Sequence, residues 1–140
     1  MVASSPTRAV TTEPIILPPG GGRAYDLGPM RGVFKADGPD TRDGYCASEW
    51  SVEPRQPGPG PHHHEDNEEV FLVTEGTMWF LVGEDWIEAP TGTFLRIPAG
   101  VTHDFENRGD ERAVAFNVFI PGGFEAPFRA WFEAGGPEGR

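Results

Sequence analysis

From Ile15 to Ile120 the sequence breaks into short apolar runs, each closed by a turn signal. Many of those signals are Gly and Pro, which occur 19 and 15 times and make up roughly a quarter of the 140 residues. This rhythm predicts strands near 15–18, 23–27, 31–36, 45–53, 68–75, 77–82, 86–89, 93–97, 102–107 and 112–120. Many short strands at close spacing imply an all-β sandwich or barrel. Gly83-Glu84-Asp85 and Arg108-Gly109-Asp110 each lie between apolar runs and have hairpin length. Helical spacing occurs once, in Phe124, Phe128, Trp131 and Phe132, with Pro127 admissible only in the first turn. That segment predicts a short helix, either packed on the barrel wall or lying as a lid over its mouth.

Residues 1–14 are rich in Ser, Thr and Pro. They predict a flexible arm, or a strand that orders only against a partner, ahead of a single domain over 15–140. A net charge of −11 argues against nucleic acid as a partner. No apolar run approaches bilayer-spanning or signal-peptide length, so no membrane association and a cytoplasmic location are expected. The single cysteine, Cys46, cannot form an intrachain disulfide and reads as a small buried residue without a role.

Three of the four histidines are consecutive, and the fourth is His103. Pro54-Arg55-Gln56-Pro57-Gly58-Pro59-Gly60-Pro61 cannot be a central strand, so an extended loop leads into His62-His63-His64. In extended chain His62 and His64 face one way and His63 the other. The polar run Glu65–Glu68 suits a turn, and the next strand begins with Glu69 beside the histidine pair. A second strand ends in Pro98-Ala99-Gly100, and His103 projects from the strand that follows.

These two segments resemble the paired motifs of the cupin superfamily. The first family motif is Gly, five residues, His-x-His, three or four residues, Glu, six residues, Gly. Here His62-x-His64, Glu69 and Gly76 keep that spacing, while Gln56 stands where the leading glycine is expected and Gly58 and Gly60 lie nearby. The second motif is matched in full by Gly92, Pro98, Gly100, His103 and Asn107. The motifs occupy 62–76 and 92–107. The resemblance implies a double-stranded β-helix, or jelly-roll, barrel. It also implies that His62, His64, Glu69 and His103 are the ligands of one divalent metal ion per chain, and it suggests a homodimer.

Three imidazoles and a carboxylate form a borderline set that suits Fe, Mn, Ni, Cu, Co or Zn and is too nitrogen-rich for Mg or Ca. Four such groups buried without a metal would be poorly satisfied. Four protein ligands leave open positions for water, dioxygen or a chelating substrate, and Glu69 is a candidate base. Parity places Phe71 and Val73 inward with Glu69, and Phe105 inward with His103. Trp50, Phe80 and Phe119, with Trp79, are further candidates for the wall of a substrate pocket. Such a pocket suits a small hydrophobic or aromatic substrate bearing oxygen donors. The motifs and the ending Val118–Glu125 resemble quercetin-dioxygenase-like cupins, which favours a dioxygenase. The alternatives are a non-redox isomerase or polyketide cyclase, and a small-molecule-binding protein without catalysis.

Overall fold

The computed structural model describes residues 12–136. Its strands are β1 (Arg23–Asp26), β2 (Met30–Ala36), β3 (Cys46–Val52), β4 (Glu68–Glu75), β5 (Thr77–Val82), β6 (Asp85–Pro90), β7 (Phe94–Ile97), β8 (His103–Glu106) and β9 (Ala113–Ile120). One helix, α1 (Glu125–Glu133), follows them. Six strands form one sheet in the order β1-β2-β3-β9-β4-β7, and β6-β5-β8 form the other. All pairings are antiparallel.

Period-two alternation decides which face is inside. On β4, Glu69, Phe71 and Val73 are buried while Leu72 and Thr74 are exposed. On β9, Ala113, Ala115, Asn117 and Phe119 face the core. The core between the sheets joins Phe71, Val73, Met78, Phe80, Ile97 and Phe105 to Phe34, Trp50 and Phe119. No helix among the described residues is long and apolar enough to cross a membrane.

Two expectations are corrected. Residues 15–18 form no strand, because Pro14, Pro18 and Pro19 lack ladder donors; Ile15, Ile16 and Leu17 remain exposed. The predicted arm lies outside the described residues except for 12–14, which carry no strand either. The Gly83-Glu84 loop does close a hairpin, with Val82 opposite Asp85 and Gly83 at φ 68°. Arg108-Gly109-Asp110 does not, because β8 pairs with β5 while β9 pairs with β3 and β4. It is a crossing between sheets, tied by the Asn107 amide. That amide donates to the Val52 and Glu111 carbonyls at 3.0 and 2.7 Å and accepts from Gly109 N at 2.9 Å.

The proline-rich segment is extended, as its composition requires, but it lies along β8. Gln56 pairs with Asn107, and His62 pairs with His103. The prolines at 57, 59 and 61 alternate with the residues whose N–H groups are used. Gln56 N donates to Asn107 O (3.0 Å), Gly60 N to Asp104 Oδ1 (3.0 Å) and His62 N to His103 O (3.0 Å). Gly58 crosses directly over the Phe105 carbonyl, where a Cβ would collide with the backbone. The close approach to β8 that excludes a side chain thus falls at position 58, two residues after Gln56.

Candidate metal centre

The two-way backbone bridge between His62 and His103, with Gly100 N donating to His64 O at 2.8 Å, brings both motifs to one end of the barrel. Ligand atoms of His62, His64, Glu69 and His103 all lie within 4.8 Å of one another. Glu69 Oε2 is 2.8 Å from His103 Nε2 and 3.1 Å from His64 Nε2. The His62 ring stands 4.4 Å from that of His103 and 5.1 Å from that of His64, centroid to centroid. His63 points away to solvent and meets Glu65 at 2.7 Å.

The second nitrogens orient the rings. His62 Nδ1 donates to Gly60 O at 2.7 Å, and His103 Nδ1 donates to Val101 O at 2.9 Å. When neutral, each ring therefore presents a bare Nε2 lone pair to the cluster. The His103 lone pair would then face a carboxylate oxygen at hydrogen-bonding distance, an arrangement that requires a positive charge between them. A proton or a metal ion supplies it. In the metal-free protein burial raises the Glu69 carboxyl, but hydrogen bonds from His103 and His64 outweigh this and hold it down at about 2. Burial opposes charge on His103 too, yet its bond to Glu69 raises it above the ordinary value. Burial lowers His62, reinforced by the neighbouring imidazoles. One ring held neutral, two around one ionised carboxylate and fixed tautomers make a donor set that fits a divalent transition metal.

His62, His64 and Glu69 form the floor of a cavity of about 390 Å³, with His103 buried behind them. Met30, Trp50, Phe71 and Phe105 line its barrel side, and Pro59 and Pro61 its loop side. Phe124, Pro127, Phe128 and Trp131 form the remaining wall, so α1 and the residue before it close the barrel mouth. Three of the expected pocket residues, Trp50, Phe71 and Phe105, thus reach the cavity. Val73, Phe80 and Phe119 do not line it. Val73 and Phe80 are sealed in the core, and Phe119 lies behind His64, with ring centroids 4.9 Å apart. Trp79 is on the outer face beneath the Arg108 guanidinium, 4.3 Å from it.

The helix is held by a buried polar network. Glu125 accepts from Tyr25 Oη at 2.6 Å and from Arg23 Nε at 2.9 Å. Asp37 accepts from the backbone N–H groups of Gly123 (2.7 Å) and Glu125 (2.6 Å). Burial and the adjacent Glu125 carboxylate push the Tyr25 phenol up to about 12. Cys46 is buried beside Asp37, and burial pushes its thiol well above the ordinary value. Sequence reasoning missed Asn117, which touches Glu69. A polar residue at core parity inside Ala113-Val114-Ala115-Phe116-Asn117-Val118-Phe119 was its signal.

Comparison with known proteins agrees with this architecture. The family description "Cupin domain" matches residues 48–119. An acireductone dioxygenase from Bacillus cytotoxicus is 30% identical over 63 residues, and the match spans 42% of this chain and 37% of that relative. An RmlC-like cupin from Shewanella frigidimarina superposes with a TM-score of 0.64 at 16% identity, covering 76% of this chain and 90% of the other. KdgF from Halomonas sp. gives 0.63 at 15% identity, with 74% and 91% covered. A predicted oxalate decarboxylase from Thermotoga maritima gives 0.63 at 17% identity, with 71% and 88% covered. At such identities these structures share the fold alone. With both motifs converging on one cluster and the family match spanning half of its length, this chain belongs to the cupin domain family.

Proposed function

We propose that this protein is a metal-dependent dioxygenase acting on a small aromatic or otherwise hydrophobic substrate with adjacent oxygen donors. The observation that carries this reading is the pairing of a three-imidazole, one-carboxylate cluster with an apolar, aromatic-walled cavity directly above it. The dioxygenase name of the Bacillus cytotoxicus relative supports it, although this chain spans little more than a third of that protein.

His62, His64, Glu69 and His103 would hold Fe, Mn, Ni, Cu, Co or Zn, and a redox-active member of that series would supply oxygen chemistry when bound. The chain's own residues do the rest. Trp50, Phe105 and Phe128 pack the substrate ring and exclude water, which strengthens every electrostatic contact inside. Among the described residues no Lys or Arg lines the cavity, so a second negatively charged group on a substrate finds no partner there. Glu69 Oε2 is the oxygen that faces the cluster, and on release from the metal it would accept a proton from a substrate hydroxyl.

The test is elemental analysis of purified protein followed by oxygen uptake with a flavonol or a catechol. Uptake that requires Fe, Mn, Ni, Cu or Co and is abolished by His103→Ala supports the proposal. Zinc with no oxygen uptake contradicts it and points to an isomerase or cyclase. Tight ligand binding without turnover contradicts it in favour of a binding protein. A homodimer is proposed as well, and sedimentation at the mass of one chain rules that out.

A further inference from the structure

The environment of Glu69 is asymmetric. Oε2 faces His64 and His103, whereas Oε1 accepts from Asn117 Nδ2 at 2.8 Å. Asn117 sits on the central strand β9, opposite Phe71 on β4 and Ser48 on β3, and is 2% exposed. Its amide has one workable orientation. Nδ2 meets two acceptors, Glu69 Oε1 and Val70 O (3.3 Å), and a flipped amide would set oxygen against both. On its other side Oδ1 accepts from Ser48 Oγ at 3.4 Å, and Ser48 Oγ accepts from Trp50 Nε1 at 2.8 Å. Every donor in the chain Trp50, Ser48, Asn117 therefore points toward Glu69. Bonds so aligned polarise one another.

Trp50 itself is seated. It pairs with Gly32 on β2, where a Cβ would stand 2.5 Å from the indole ring. Trp50 also lines the cavity. Trp50, Ser48 and Asn117 are all neutral and buried, and the chain of bonds ends on buried Glu69.

We propose that Asn117 is a positioning residue that reserves Oε1 of Glu69, leaving Oε2 alone to ligate the metal, and that Ser48 and Trp50 tie this choice to the cavity wall. The inference rests on the proposed metal site but not on oxygen chemistry. It has two consequences. Glu69 occupies one coordination position instead of two, which keeps more positions open to the cavity. A ligand that moves the Trp50 ring is felt at the carboxylate without touching it.

Co(II) titration followed by visible absorption tests this, because band shape and intensity report coordination number independently of turnover. The variants are Asn117→Leu, which keeps the shape and removes the amide, and the milder Ser48→Ala and Trp50→Phe. Asn117→Leu is expected to weaken Co(II) binding by about 10- to 100-fold, as loss of a ligand's own hydrogen-bond partner does elsewhere, with bands weakened toward those of a higher coordination number. Trp50→Phe keeps an aromatic side chain but removes the Nε1–H donor, and is expected to shift the bands in the same direction by less. Should Asn117→Leu fail to fold, the other two variants decide. Wild-type binding with unchanged bands and affinity in every folded variant overturns the inference while leaving the metal site standing. A wild-type chain that takes up no Co(II) overturns both.

Discussion

Titrating the metal-free protein should reveal the Glu69–imidazole contact as a pH-dependent stability. The Glu69 carboxyl is held at about 2 against an ordinary 4.5. At about 1.4 kcal/mol per pH unit that gap corresponds to about 3 kcal/mol. A group depressed in the folded state contributes fully above its unfolded value, so this stabilisation is present above 4.5 and is lost as the pH falls through 2. His103 is shifted the other way, so its contribution is complete below 6.5 and is lost as the pH rises through its elevated folded value. The two shifts describe one interaction and are not summed. Stability due to this contact is therefore greatest between about 4.5 and 6.5. Urea unfolding of chelator-stripped wild type and Glu69→Gln at pH 3, 5.5 and 8 measures it. The wild type should exceed the variant by on the order of 3 kcal/mol at pH 5.5, and the difference should shrink at both pH 3 and pH 8. A difference that stays constant across the three conditions would refute the reasoning.

Metal uptake should show the opposite dependence. Ligation needs neutral imidazoles, so the affinity for Co(II) by equilibrium dialysis should rise from pH 5.5 to pH 8. Gly58→Ala forces a Cβ onto the Phe105 carbonyl. It should cost about 2 kcal/mol or more in urea and lower metal content, because the segment it displaces carries His62. Tyr25→Phe removes one bond to buried Glu125 while Arg23 remains. A loss of about 1 kcal/mol in thermal unfolding with metal content unchanged is expected. His63→Ala should leave stability within about 0.5 kcal/mol and metal content intact, since that ring lies outside the cluster.

The site was legible before the fold because ligand chemistry confines residue types more tightly than packing does. The resemblance of the two motifs to those of cupins singled out His62, His64, Glu69 and His103 together, and the structure sets their ligand atoms within 4.8 Å of one another. Parity correctly turned Phe71 and Phe105 inward, but it carries no depth coordinate. It could not separate these cavity residues from Val73 and Phe80, which share the inner face at the packed end. The C-terminal periodicity announced a helix and left its docking open. What places it is Glu125, whose partners Arg23 and Tyr25 lie about a hundred residues away in sequence. The hairpin expected at Arg108-Gly109-Asp110 failed for a related reason. Loop length cannot tell a reversal within one sheet from a crossing between two. The apolar run at 15–18 misled because hydrophobicity was weighed above the flanking prolines, which cannot donate to a ladder.

The central claim is that three imidazoles and one carboxylate form a single metal site. Anomalous scattering from a crystal grown with Co(II) addresses it directly. One peak per chain, at bonding distance from His62, His64, Glu69 and His103, is the expected result. Cobalt seated at His63 or the surface carboxylates, with nothing among those four side chains, would contradict it.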